Sequence, residues 1–160
     1  MAANDGGPVG VGDPAPDFEL PSMTGEPVRL SDFRDKAEVV LYFYPKDNSP
    51  VCTAEACSFR DAYETFREAG AEVIGVSADS VESHRRFAAH NRLPFHLLSD
   101  PEGALRARYG VPKTLGVLPG RVTYLIDKQG VVRLIFSSQL QAAKHVEEAL
   151  RVLRQLHGGS

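Results

Sequence analysis

Two kinds of hydrophobic pattern alternate along this chain. Residues 38–44, "EVVLYFY", and 71–78, "AEVIGVSA", are unbroken β-branched and aromatic runs, the pattern of strands covered on both faces. Between them, apolar residues recur every three or four positions from about Ser49 to Ala69, and Gly70 closes the segment, as a helix requires. "SVESHRRFAAHNR" (80–92) predicts a second helix opened by a serine cap. "FHLLSD" (95–100) predicts a short strand, and "EGALRARYG" (102–110) a short helix ended at Gly110. "RVTYLID" and "VVRLIF" flank "KQG" (128–130) and predict a hairpin. From Gln141 to Leu156 a stripe of Ala142, Val146, Ala149, Val152, Leu153 and Leu156 predicts the last helix. Near the start, "DFEL" (17–20) and "PVRL" (27–30) predict a small hairpin around "PSMTGE".

Strand–helix–strand–helix followed by a hairpin and a helix implies an α/β fold, a mixed central sheet with helices on both faces. That order matches the thioredoxin fold carrying an N-terminal extension. A chain of 160 residues suits one core. Its expected layout is a glycine-rich tail over 1–12, one domain over 13–156 and a short tail over 157–160. A net charge of −3 argues against a nucleic-acid partner. No apolar run is long enough to span a membrane, so none is expected as a partner. "MAANDGGPVG" has neither a basic start nor an apolar core. The expected location is therefore cytoplasmic, where structural disulfides are rare.

Chemistry concentrates in "YPKDNSPVCTAEAC" (44–57), which holds both cysteines, Cys52 and Cys57. With Ser49 as cap and Pro50 at the first helical position, Cys52 falls in the first turn. An alternative frame makes Cys52 itself the cap. In either frame, unpaired backbone N–H groups and the helix dipole favour an anion there. On a helical wheel Ala56, Phe59, Tyr63 and Phe66 lie within roughly 40° of Cys52, whereas Cys57 lies roughly 140° away. Cys57 shares the face of Arg60, Asp61, Glu64 and Glu68, expected to meet solvent. In an intact helix, positions five apart have Cα atoms roughly 8.7 Å apart. A disulfide needs less than about 7 Å, so a permanent bridge does not fit, and a transient one needs local unwinding.

Three readings of the pair stand at this point: small buried residues, part of a metal site, or a redox pair. His84, His90, His96, His145 and His157 are scattered without metal-type spacing. Neither a C-x-x-C motif nor a phosphate-cradling glycine loop is present.

"YFYPKDNSPVCTAEACSFRD" resembles the active-site segment of peroxiredoxins, specifically the Q-type (bacterioferritin-comigratory) subfamily. The family motif Pro-x-x-x-Thr-x-x-Cys falls on Pro45, Ser49 and Cys52, and the family's distal arginine on Arg121. "VGDPAPDFEL", "VIGVSADS", "LPFHLLSDPEG" and "YGV" extend the resemblance over about residues 11–155. Two positions depart from the pattern: serine replaces the motif threonine at 49, and Val51 stands where glycine is usual. A β-branched residue stiffens the first turn and is expected to affect unwinding or substrate access.

The resemblance implies a thiol peroxidase acting on hydrogen peroxide and organic hydroperoxides without metal, haem or flavin. Cys52 would be the peroxidatic nucleophile and Cys57 the resolving thiol. The intramolecular Cys52–Cys57 disulfide would be reduced by thioredoxin or a similar dithiol, in a monomeric protein. Arg121, Ser49 and Pro45 would shape and charge the site. Glu55 and Arg60 also match family positions, but a solvated helix face accounts for them equally well. A free thiol, with pKa about 8.5, is roughly 3% ionised at pH 7, so full ionisation raises the rate only about 30-fold. The rest must come from orientation and charge stabilisation. Two rival functions on the same fold are a general thiol–disulfide oxidoreductase and a redox-sensing binding module.

Overall fold

A computed structural model describes residues 9–111, 113–114 and 118–157. Its elements are β1 (Glu19–Pro21), β2 (Pro27–Arg29), β3 (Glu38–Phe43), α1 (Pro50–Glu68), β4 (Ala71–Ser77), α2 (Val81–Asn91) and β5 (His96–Ser99). There follow α3 (Ala104–Tyr109), β6 (Lys113–Thr114), β7 (Leu118–Pro119), β8 (Val122–Ile126), β9 (Val132–Ser137) and α4 (Ala142–Leu156). Five strands form the central sheet in the order β5-β4-β3-β8-β9. β3, β4 and β5 run parallel, and β8 and β9 antiparallel to their neighbours. The mixed sheet with its N-terminal β1–β2 pair is the architecture expected from the sequence.

Alternation along β3 divides the core. Val40 and Tyr42 point to one face, with α1, α2 and α4 residues such as Phe59, Phe66, Phe87, Ala149 and Leu153. Val39, Leu41 and Phe43 point to the other, with Phe18 and Val28 of the N-terminal segment and Leu105 and Tyr109 of α3. Successive strand residues face opposite ways, so one run fills two cores, which is why β3 reads as uninterruptedly apolar. Gly75 in β4 matters to the site: an added Cβ would lie 2.9 Å from the Tyr42 ring and from Leu97. That bare backbone lets Tyr42 lie flat and stack on Phe59 of α1, centroids 4.6 Å apart.

Local differences have local causes. Of the expected N-terminal tail, residues 9–12 are held to the domain. Val9 is buried and its N–H donates to the Tyr109 carbonyl, while the Gly12 N–H donates to Val132. At the other end, His157 contacts Glu38 at 3.2 Å. The remaining residues of both tails lie outside the described residues. The helix α3 starts later than its pattern, because Gly103 turns left-handed (φ 70°) and the Asp100 carboxylate accepts from the Leu105 and Arg106 N–H groups. Among the described residues no helix is long and apolar enough to cross a membrane, and no cluster of His, Cys, Asp and Glu could hold a metal.

Candidate active site

α1 begins in the first frame derived above: Ser49 is the N-cap with extended backbone, and Pro50 occupies the first turn. The Ser49 hydroxyl caps nothing, donating instead to the Lys46 carbonyl at 3.3 Å, while the Ser49 carbonyl accepts from the Thr53 N–H at 2.8 Å. Cys52 sits in this first turn with its sulfur on the core face, 1% exposed, beside Ala56 and Phe59. That is the face the helical wheel predicts.

Arg121, the residue before β8, reaches the same place. Its buried positive charge interacts with Cys52. Its Nη1 donates to Glu55 Oε1 at 2.6 Å, and its Nε donates to the Gln139 carbonyl at 3.0 Å. Burial works against its charge, but Glu55 and Cys52 outweigh that and hold its pKa above the ordinary value. Arg121 also lines a cavity of about 370 Å³ over the first turn, with Pro45, Lys46, Ser49, Pro50, Val51, Gln139 and Leu140. One guanidinium thus lines the cavity and sets its charge on the buried cysteine beside it. The structure brings Cys52, Arg121, Ser49 and Pro45 together; Cys57 stands apart.

Three residues stand outside the site candidates drawn from the sequence. Glu55, which a family position and a solvated helix face explained equally well, is fully buried. Burial, only partly offset by Arg121, pushes its carboxyl up to about 7. Its Oε1 holds Arg121, and its Oε2 has no hydrogen-bond partner among the described residues. That oxygen lies 3.6 Å from His145 Nδ1. His145 is itself buried, and burial with nearby Arg121 pushes it down to about 4, so it is neutral at pH 7. Its Nε2–H then donates to the Ser138 carbonyl, and its Nδ1 accepts from the Thr123 hydroxyl, each at 2.8 Å. A neutral imidazole backs the carboxylate that holds the arginine.

Arg106 of α3 is the third, a second buried guanidinium whose charge interacts with Cys52. Burial lowers its pKa, an effect Asp100 and Cys52 partly offset. It donates to the Gly120 carbonyl at 3.0 Å and the Tyr44 carbonyl at 2.9 Å, tying the start of β8 to the end of β3. The loop between β3 and α1 is fixed again through Asp47, whose carboxylate accepts from Tyr44, Ser83 and His84 at 2.6, 2.8 and 2.8 Å. Burial alone would raise the Asp47 pKa; these bonds keep it below the ordinary value.

Cys57 departs from expectation. It is half-buried, not on an open face, because the C-terminal end of α2 packs there: its thiol donates to Asn91 Oδ1 at 3.8 Å. Both cysteines are free.

The profile of the AhpC/TSA family matches residues 11–135, and the chain belongs to that family. Within it the chain is of the Q type: it is 52% identical to the chloroplastic peroxiredoxin Q of Sedum lineare, over 91% of this chain and 78% of that one. It is also 52% identical to the chloroplastic peroxiredoxin Q of Arabidopsis thaliana, over 91% and 68%. Among solved structures, peroxidoxin BcpB of Mycobacterium tuberculosis superposes with a TM-score of 0.86 at 40% identity, covering 92% of this chain and 98% of the other. The chain is thus a peroxiredoxin, a thiol-dependent peroxidase on a thioredoxin fold. The cytoplasmic expectation is corrected by the same comparisons, since the plant relatives are named chloroplastic. The physical reason is that composition near the start of a chain does not report compartment, and thiol chemistry runs wherever a dithiol reductant is supplied.

Proposed function

We propose that Cys52 is the peroxidatic nucleophile and Cys57 the resolving thiol of a monomeric peroxidase for hydrogen peroxide and organic hydroperoxides. The observation that carries this reading is the buried Arg121 guanidinium, aimed by Glu55, its charge interacting with Cys52 while it lines the cavity over that helical turn. The Cys52 thiolate attacks the terminal oxygen of ROOH, the O–O bond breaks, and the departing RO⁻ takes a proton to leave as alcohol or water. Cys52 becomes a sulfenic acid. Cys57 then attacks that sulfur, water leaves, and an intramolecular disulfide forms. Thioredoxin or a similar dithiol returns both thiols by exchange.

Each remaining residue has a task in this scheme. Arg121 stabilises both the attacking thiolate and the charge growing on the leaving oxygen, and Glu55 fixes its direction. Ser49 offers a hydroxyl at the cavity wall. Pro45 brings no N–H to that wall, which helps keep it dry. The apolar contribution of Pro45, Pro50, Val51 and Leu140 suits an alkyl chain. A structural neighbour supports this reading: a Xanthomonas campestris bacterioferritin comigratory protein, 33% identical with a TM-score of 0.80, is described by its alkyl peroxide reduction activity. The two chains cover 87% and 91% of each other.

The test follows peroxide consumption with a dithiol reductant. Cys52→Ser is expected to be inactive, and Cys57→Ser to complete one turnover and stall unless a small thiol is added. Full turnover by Cys52→Ser overturns the assignment.

A further inference from the structure

The half-helix that carries Cys57 is bonded to the C-terminal end of α2 at Asn91. Its Oδ1 accepts from the Cys57 thiol at 3.8 Å. Its carbonyl, left without an in-helix donor at the end of α2, accepts from Arg60 Nη1 at 2.8 Å. A guanidinium at that negative helix end is also favoured by the dipole. The Asn91 side-chain amide donates to the Phe87 carbonyl at 3.0 Å, which fixes its oxygen toward Cys57. α2 stops here because Arg92 adopts a left-handed conformation (φ 54°). Neither Arg60 nor Asn91 lines the cavity described above.

We propose that Asn91 and Arg60 are positioning residues for the second half of the cycle, a latch whose release sets the rate of disulfide formation. The inference rests on Cys57 being the resolving thiol. In an intact helix the two Cα atoms are roughly 8.7 Å apart and the side chains about 140° apart around the axis. Bridging needs less than about 7 Å. Cys57 must therefore rotate away from Asn91 before its sulfur can attack. A hydrogen bond from a charged donor favours the closed state on the order of 10- to 100-fold, since it is lost on opening. While the latch is shut, the sulfenic acid waits, and a second hydroperoxide can oxidise it: Cys–SOH and ROOH give Cys–SO₂H and ROH. The latch thus sets the partition between disulfide and dead-end sulfinic acid.

The experiment uses Asn91→Ala and Arg60→Gln in the full chain, with folding checked by urea unfolding of the reduced proteins. Rapid mixing with one equivalent of cumene hydroperoxide, acid quench, alkylation and mass spectrometry give separate rates for loss of the Cys52 and Cys57 thiols. Expected is an unchanged Cys52 step, Cys57 loss on the order of tenfold faster, and a matching fall in sulfinic acid per turnover at excess peroxide. Arg60→Gln, half-exposed, carries the test should Asn91→Ala not fold. Wild-type or slower disulfide formation with a normal Cys52 step overturns the latch alone. Failure to form any Cys52 sulfenic acid or any Cys52–Cys57 bond overturns the underlying assignment as well.

Discussion

Replacing Glu55 by glutamine separates what this carboxylate does for the site from what it costs the fold. The substitution keeps the shape and an oxygen for Arg121 but removes the charge. In the folded chain burial lifts the Glu55 carboxyl from 4.5 to about 7. A carboxyl whose folded value lies above its unfolded one favours folding while protonated. As pH rises from 4.5 to about 7 the unfolded chain gives up this proton and the folded chain keeps it, so stability falls across that window. At 1.36 kcal/mol per pH unit the loss is about 3 kcal/mol, complete above pH 7. Asp47 and Asp127, whose pKa values are lowered, act in the opposite sense, but they are common to both proteins and cancel in the difference. Urea unfolding of the reduced wild type and Glu55→Gln from pH 4.5 to 8 measures it. The variant is expected to gain about 3 kcal/mol on the wild type across this range while losing peroxidase activity at every pH, because its arginine is less firmly aimed. A difference independent of pH would falsify the reasoning about burial; undiminished activity would remove the orienting role.

Three further outcomes are expected. Arg121→Lys keeps a positive charge but lacks the planar fork that holds Glu55 and the Gln139 carbonyl at once; its second-order rate with peroxide should fall about 10²–10³-fold in a competition assay, and a loss under threefold contradicts that role. Gly75→Ala drives a methyl group into Tyr42 and Leu97, so it should destabilise the fold by about 1–3 kcal/mol in urea melts; an unchanged midpoint shows that the ring beneath the site can yield freely. Val51→Gly restores the usual family residue and loosens the first turn of α1, at about 0.5–1 kcal/mol of stability; disulfide formation after one equivalent of peroxide should quicken, and slowing counts against the stiffening assigned to valine.

How much of this was legible in the sequence depends on the reach of each pattern. The apolar run of β3 declared a central strand because both of its faces are covered. The wheel through Phe59 and Phe66 correctly turned Cys52 inward. Glu55 lies three residues after Cys52, within roughly 60° on that same wheel, so its burial was readable; its charge disguised it, and the arginine that makes burial tolerable stands 66 positions away. Arg106 left no signal, since a six-residue helix is too short to show a period. The surroundings of Cys57 were hidden for a different reason. A wheel marks a polar face but not the helix end that docks on it, and the contact with Asn91 joins residues 34 apart. The N-terminal glycines read as tail, yet backbone bonds from Val9 and Gly12, which no side-chain pattern reports, hold that segment down.

The central claim is that one sulfur, held near Arg121, takes an oxygen and then passes it out as water by joining its partner in the same chain. Intact-mass analysis with a thiol count, on reduced protein given a single equivalent of hydroperoxide, addresses that directly. The account predicts a mass lower by two hydrogens, both thiols gone, and a peptide map linking Cys52 to Cys57 within one chain. A product that retains a free Cys52 thiol, or links only separate chains, contradicts it.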